Sequence, residues 1–200
     1  MREILGRAWM YGAFKKLMVS SRQMERFVEE HIRPEPGSKI LDIGCGLADI
    51  LSYLPPTSSY TGFDANPDYI RKAQQIHSAR NATFRCQHVH AATLEDPGSW
   101  DLVLANGVVH HLDDSEARTL FRIALTALRP GGRLVTLDGV YEPGQSAAAR
   151  WLISRDRGQF VRTRGEYETL AREAFQQVEG RIEHHLLRLP YTHLIMECTK

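Results

Sequence analysis

Along the chain, short apolar runs alternate with stretches whose apolar residues recur at helical spacing. Residues 39–43 ("KILDI"), the segment "SYTGFDAN", "TFRCQHV", "DLVLANGVV" and "RLVTLDG" read as strands. Between them, "LADILSYL", residues 68–78 and residues 115–128 read as helices, and "RPGG" as a turn. Strands that are near-continuous apolar runs and alternate with helices predict a parallel sheet covered on both faces, a doubly wound α/β fold. Ahead of it, "RPEPG" closes two helical stretches, because Pro34 and Pro36 cannot continue a helix and Gly37 permits a turn. Behind it, "GEYETLAREAF" is helical, and "VEGRIEHHLLRLPYTHLIMECT" predicts a hairpin added at one sheet edge.

Two hundred residues with 42% apolar and 24% charged content suit one soluble domain. It divides into an N-terminal helical cap (1–35), a ligand-binding core (36–140) and a substrate-side insertion with the hairpin (141–200). A net charge of +1 gives no general reason to expect a polyanionic partner. Cys45, Cys86 and Cys198 are odd in number and far apart, which suits free thiols and a cytoplasmic location. No apolar run has the length of a membrane span. Near the N-terminus, Trp9, Phe14, Leu17 and Met18 fall at helical spacing beside Lys15 and Lys16. That pattern fits a helix packed on the domain or over its ligand, with peripheral lipid contact as the alternative.

The chemistry starts at "ILDIGCGLADI". Gly44 and Gly46 follow a strand, as in a nucleotide-binding turn, but the third glycine of a dinucleotide fingerprint is replaced by Asp49. With Asp42 on the other side, the turn is acidic on both flanks and disfavours a pyrophosphate. Asp64, ending the second strand about twenty residues on, is placed for ribose hydroxyls. A ligand with a ribose, an ammonium and a sulfonium, and no phosphate, satisfies both observations: S-adenosylmethionine.

"ILDIGCG", Asp64, "WDLVLANGVVHHLDD" and "ALRPGGRLVTLDG" together resemble the class I S-adenosylmethionine-dependent methyltransferases, particularly those acting on small molecules. The resemblance covers about residues 36 to 140. It implies a mostly parallel seven-stranded sheet whose C-terminal strand is antiparallel. It also implies that Gly44, Cys45 and Gly46 lie against the methionine part and that Asp42 holds the ammonium. Asp64 would hold the ribose, Ala65 would flank the adenine, and Asn106 with Gly107 would line the wall near the methyl. Where the family often has an acid after the third strand, this chain has His88 and Val89.

The acceptor side is read from the residues. His110 and His111 follow the fourth strand and are candidates for a general base; the alternative has one packed and the other solvated. His184 and His185 fall in a candidate strand that would turn them to opposite faces, so they make no metal site alone. Arg155 and Arg157 head a group of arginines interleaved with Trp151, Phe160 and Tyr167, suited to an anionic small acceptor or to a solvated helix face. Asn106 followed by Gly107-Val108-Val109 lacks the Asn-Pro-Pro-aromatic stretch of base-modifying relatives, which disfavours nucleic acid. The expected function is methyl transfer to a small metabolite. The alternatives are another sulfonium-group transfer, such as aminopropyl transfer, and a non-catalytic cofactor-binding regulatory domain.

Overall fold

The structure is a computed structural model and describes residues 20–87, 94, 96–155 and 158–200. The expectations for the segment around Trp9, and for His88, Val89 and Arg157, fall outside these residues.

The first described helix, α1 (Ser21–Phe27), is started by a capping box in which Ser20 and Gln23 satisfy each other's backbone amides. It continues as a wider π turn (Val28–Ile32) that ends at Arg33, whose φ of 44° reverses the chain. Then follow β1 (Lys39–Ile43), β2 (Ser59–Asp64), α2 (Pro67–Ile76), β3 (Ala82–Cys86), β4 (Trp100–Asn106), α3 (Asp114–Ala127) and β5 (Leu128–Tyr141). After β5 come α4 (Ala147–Ser154), a two-residue β6 (Arg162–Thr163), α5 (Arg164–Arg172), β7 (Gln177–Glu183) and β8 (His193–Thr199).

The main sheet has the order β3-β2-β1-β4-β5-β8-β7, with β6 paired to the end of β5. Strands β1 to β5 are mutually parallel, and β8 runs antiparallel between β5 and β7. This is the doubly wound, mostly parallel seven-stranded sheet, with the terminal hairpin entering at the edge as its sequence implies. One face packs against α1, its π turn and α2 through Phe27, Ile32, Ile40, Leu102 and Val135. The other packs against α3 and α5 through Leu41, Val103, Leu120, Phe121 and Tyr167. Alternate residues of β1 therefore serve opposite cores, so Ile40 on one side and Leu41 and Ile43 on the other are all apolar.

Three local expectations are corrected. "LADILSYL" forms one 3₁₀ turn (Asp49–Tyr53) and no longer helix, because Ala48 sits at φ 54° and the stretch runs into Pro55-Pro56. "RPGG" does not interrupt β5. It is an irregularity within the ladder, with Gly131 at φ 76° and a register shift between Trp100 and Leu102. His184 and His185 lie beyond the end of β7, in the loop to β8, not in a strand.

Candidate active site

The topology reverses at β1 and β4, and their carboxyl ends face the loops where a doubly wound sheet binds its ligand. Gly44 (φ 73°) and Gly46 (φ 55°) make the turn there, in backbone conformations that side chains rarely adopt. All three amides of the turn are committed to the chain itself. Those of Gly44 and Cys45 donate to the Phe63 carbonyl at 2.7 and 2.9 Å, and that of Gly46 donates to Asp64 Oδ2 at 2.9 Å. A phosphate loop works by aiming such amides at the anion, so this turn is not one.

Asp64 is partly exposed, and its other oxygen accepts from the Asn66 amide at 2.7 Å. Each carboxylate oxygen thus holds one backbone donor and keeps lone-pair capacity for a further one. The space beside the Gly46 Cα is open, with no atom within 4 Å of where a Cβ would sit. Ala65 is exposed next to it. Asp42 is buried and accepts from the Tyr60 hydroxyl at 2.5 Å. Burial and the Asp42 charge push the Tyr60 phenol well above its ordinary range, so it stays a donor. Cys45 packs its thiol over Gly62, where an added Cβ would lie 2.7 Å from Sγ. Burial and the charges of Asp42 and Asp64 raise that thiol far above the ordinary value, so it is an inert filler.

The end of β4 supplies Asn106 and Gly107. The Gly107 amide donates to the Leu137 carbonyl of β5 at 2.7 Å, and Asn106 Oδ1 is buried with no hydrogen-bond partner among the described residues. A 3₁₀ turn (Val109–His111) follows, and here the two histidines part company. His111 is exposed; His110 is buried, 7% accessible, with its ring centroid 4.1 Å from that of His111. His110 Nδ1 lies 2.8 Å from Asp138 Oδ1, an oxygen that also accepts the His110 backbone amide at 3.1 Å. Asp138, on β5, is 2% accessible, and its Oδ2 has no hydrogen-bond partner among the described residues.

Two further elements close over this pair. A Cβ on Gly158 would lie 2.2 Å from His110 Cδ2, and the Phe160 amide donates to the His110 carbonyl at 3.0 Å. Arg162 is buried and donates to the carbonyls of Val109, Leu112 and Phe160 and to Asp114. Beneath, the Tyr167 hydroxyl donates to the Gly139 carbonyl at 3.0 Å. Burial first, then the Asp138 charge, raises the Tyr167 phenol above its ordinary value.

The arginine group does not act as one. Arg162 is this buried brace and Arg164 pairs with Glu168 at 2.7 Å. Arg155 instead stacks over Trp151 at 5.6 Å, and Arg150 over Tyr141 at 5.2 Å. Among the described residues, neither has a carboxylate within salt-bridge distance.

The structure brings together Asp42, Gly44, Cys45, Gly46, Asp64 and Ala65 on the β1–β2 side, and Asn106, Gly107, His110 and His111 on the β4–β5 side. Sequence reasoning missed Asp138 and the bracing role of Arg162. An acid inside the apolar strand "RLVTLDG" was the available signal for Asp138.

Residues 41–134 match the family described as Methyltransferase domain. A ubiquinone biosynthesis O-methyltransferase of Xanthomonas campestris is 31% identical over 104 residues, covering 50% of this chain and 42% of that protein. An O-methyltransferase of Pyrenophora dematioidea is 30% identical over 141 residues, covering 66% and 52%. The chain therefore spans about half the length of the curated relatives it matches. Among solved structures, a TehB-like methyltransferase from Corynebacterium glutamicum superposes with a TM-score of 0.66 at 18% identity, covering 99% of this chain and 97% of that one. Phosphoethanolamine N-methyltransferase 2 of Haemonchus contortus, bound to S-adenosyl-L-methionine, gives 0.68 at 21%, covering 82% and 39%. Residues 41–134 are thus similar to a methyltransferase domain, and the fold of the chain is the one these solved structures share.

Proposed function

We propose that the chain transfers a methyl group from S-adenosylmethionine to a small, anionic metabolite. The observation that carries this reading is the acidic glycine turn whose amides are all internally bonded, set beside Asp64 and open space at Gly46. Such a donor set suits a ligand with hydroxyls and cationic groups, and it offers nothing to a pyrophosphate. When bound, the cofactor supplies an electrophilic methyl group on a sulfonium. Asp64 accepts the ribose hydroxyls, and Gly44 and Gly46 let the backbone approach the methionine part. Asp42 lends negative charge beneath the ammonium, and Ala65 flanks the adenine. Asn106 and Gly107 form the wall near the methyl, with the buried Asn106 oxygen offering an acceptor there.

On the acceptor side, Arg155 and Arg150 support an anionic substrate. Their guanidinium groups are held against aromatic rings and have no carboxylate partner among the described residues. The acceptor's nucleophilic atom then needs only to be held in line with the methyl, roughly 3 to 3.5 Å away.

Titration calorimetry tests the cofactor assignment. Wild-type chain is expected to bind S-adenosylhomocysteine and not NAD, and Asp64→Ala to weaken that binding by about 1.5–3 kcal/mol, the scale of hydrogen bonds to a charged acceptor. Undiminished affinity in the variant would remove Asp64 from the ribose.

A further inference from the structure

The main sheet ends on two strands, β3 and β7, each hydrogen-bonded to a neighbour on one side. β7 is the longer, seven residues against five, and it pairs with β8 over all seven in one unbroken register. Besides that pairing, Arg172 of α5 donates to its Val178 carbonyl at 3.2 Å. Among the described residues no other side chain bonds to the β7 backbone, so most of its outer row of amides and carbonyls is open to a further strand. Proteins blunt such an edge with a bulge, a proline or lysines. β7 has none of these, and its charges are of both signs.

The arrangement of those charges is specific. "QVEGRIE" reverses about Gly180 with the sign of charge inverted: Val178 answers Ile182, and Glu179 answers Arg181. Val178 and Ile182 join the core beneath α5, while Glu179 and Arg181 are exposed on the other face. When two copies of β7 run antiparallel about a two-fold axis at Gly180, all seven residues are matched. Glu179 of each copy then lies opposite Arg181 of the other, and Val178 lies opposite Ile182. Moving the axis by one residue in either direction sets Glu179 or Arg181 against its own copy. The same operation on β3, "ATFRC", sets Thr83 against Arg85 and pairs no opposite charges.

We propose that the β7 edge is the docking surface for a second copy of this chain, joined through a two-fold axis at Gly180 so that two sheets continue into one. The neighbouring charges are matched within each copy. On the α5 side, Glu168 sits over Gly180 and is paired with Arg164 and Arg172. On the other side, Arg26 is paired with Glu30, Glu183 lines the same cleft, and Arg181 adds positive charge near Glu30. Among the described residues, Glu179 has no cation within salt-bridge distance and Arg181 has no carboxylate. The second copy supplies both.

Sedimentation velocity on the chain over a range of concentrations tests this. Wild type is expected to pass from monomer to dimer, and to do so less readily in high salt. Glu179→Arg and Arg181→Glu each set like charges opposite one another and should weaken the dimer by about tenfold or more, with the far-ultraviolet circular dichroism of the monomer unchanged. Mixed in equal amounts, the two single variants should form a heterodimer, because each carries the charge that the other lacks. The double exchange should restore the wild-type dimer. A wild type that stays monomeric overturns the proposal and leaves the edge to a different partner. A dimer indifferent to both single variants overturns it by placing the interface on another face, and a mixture that pairs no better than its components overturns the register.

Discussion

Among the described residues are two buried histidine–carboxylate pairs of nearly equal length, and their surroundings differ. His31 Nδ1 lies 2.9 Å from Glu197 Oε1, and His110 Nδ1 lies 2.8 Å from Asp138 Oδ1. Around Glu197 the charges are dense. Arg33 and Arg133 both donate to its Oε2, and Arg133 also takes the carbonyls of His31 and Ile32 that the π turn leaves over. This pair clamps α1 to β5 and β8 near the start of β5, on the far side of the sheet from α3 and α5. Among the described residues no arginine bonds to Asp138, and its Oδ2, at the carboxyl ends of the strands, has no partner there. A saturated pair serves the fold, whereas an incompletely satisfied one at the carboxyl ends of the strands belongs to the candidate site, where local stability is not maximised.

The largest way to break this comparison is Glu197→Gln. It leaves Arg33, Arg133 and His31 facing a neutral side chain, and chemical denaturation should show a loss of about 3 kcal/mol, with S-adenosylhomocysteine affinity unchanged in the folded fraction. The pH dependence has a definite sign. Burial alone would raise the Glu197 carboxyl, but hydrogen bonds from His31 and Arg33 and the charges of Arg33 and Arg133 hold it below the ordinary value. Its folded pKa is therefore depressed. Its stabilisation is present above the unfolded value, about 4.3, and is lost as pH falls through the lower folded one. Acid titration of stability should be steeper below about pH 4 in wild type than in Glu197→Gln. Equal slopes would show the clamp to be electrostatically silent.

The second pair is probed by Gly158→Ala. Gly158 has no requirement for a left-handed backbone, so the effect comes from a methyl group that would meet the His110 ring and the His110 carbonyl. Turnover should fall about tenfold, equivalent to about 1.4 kcal/mol of barrier, while the denaturation midpoint moves little. A rate equal to wild type would show that the ring position does not matter. The smallest effect is expected for Arg155→Ala, an exposed residue. It should raise KM for an anionic acceptor a few-fold in low salt and less in high salt, leaving cofactor affinity constant. Salt-independent kinetics would return Arg155 to the solvated surface.

The alternation of strands and helices, the glycine turn and Asp64 were legible because each is local: a run, a spacing, an acid at a strand end. Gly44 and Gly46 announce a turn regardless of what packs on it. The two histidine–carboxylate pairs were not legible, since their partners are 166 and 28 residues apart, and only the packing of the π turn on β8 and the pairing of β4 with β5 bring them together. Asp138 and Glu197 did leave a trace, as acids within otherwise apolar strands. The arginines between α4 and α5 were misleading as a group. Arg162 looks in sequence like Arg155, yet it ends in the core because β6 pairs with Val140 and Tyr141 and carries it inward. The helix expected after Gly46 failed for a local reason, the left-handed Ala48, which composition does not reveal.

Arg162 has one more consequence. Its guanidinium grips the carbonyls of Val109 and Leu112 on one loop and of Phe160 on another, and through Asp114 it holds the first turn of α3. Two loops that would each have been hinged separately are thereby riveted into a single plate. Any displacement that makes room beside His110 must carry the turn, the crossing strand segment and the helix start together, so access on this side is governed by one joint motion and not by the independent flicker of two loops.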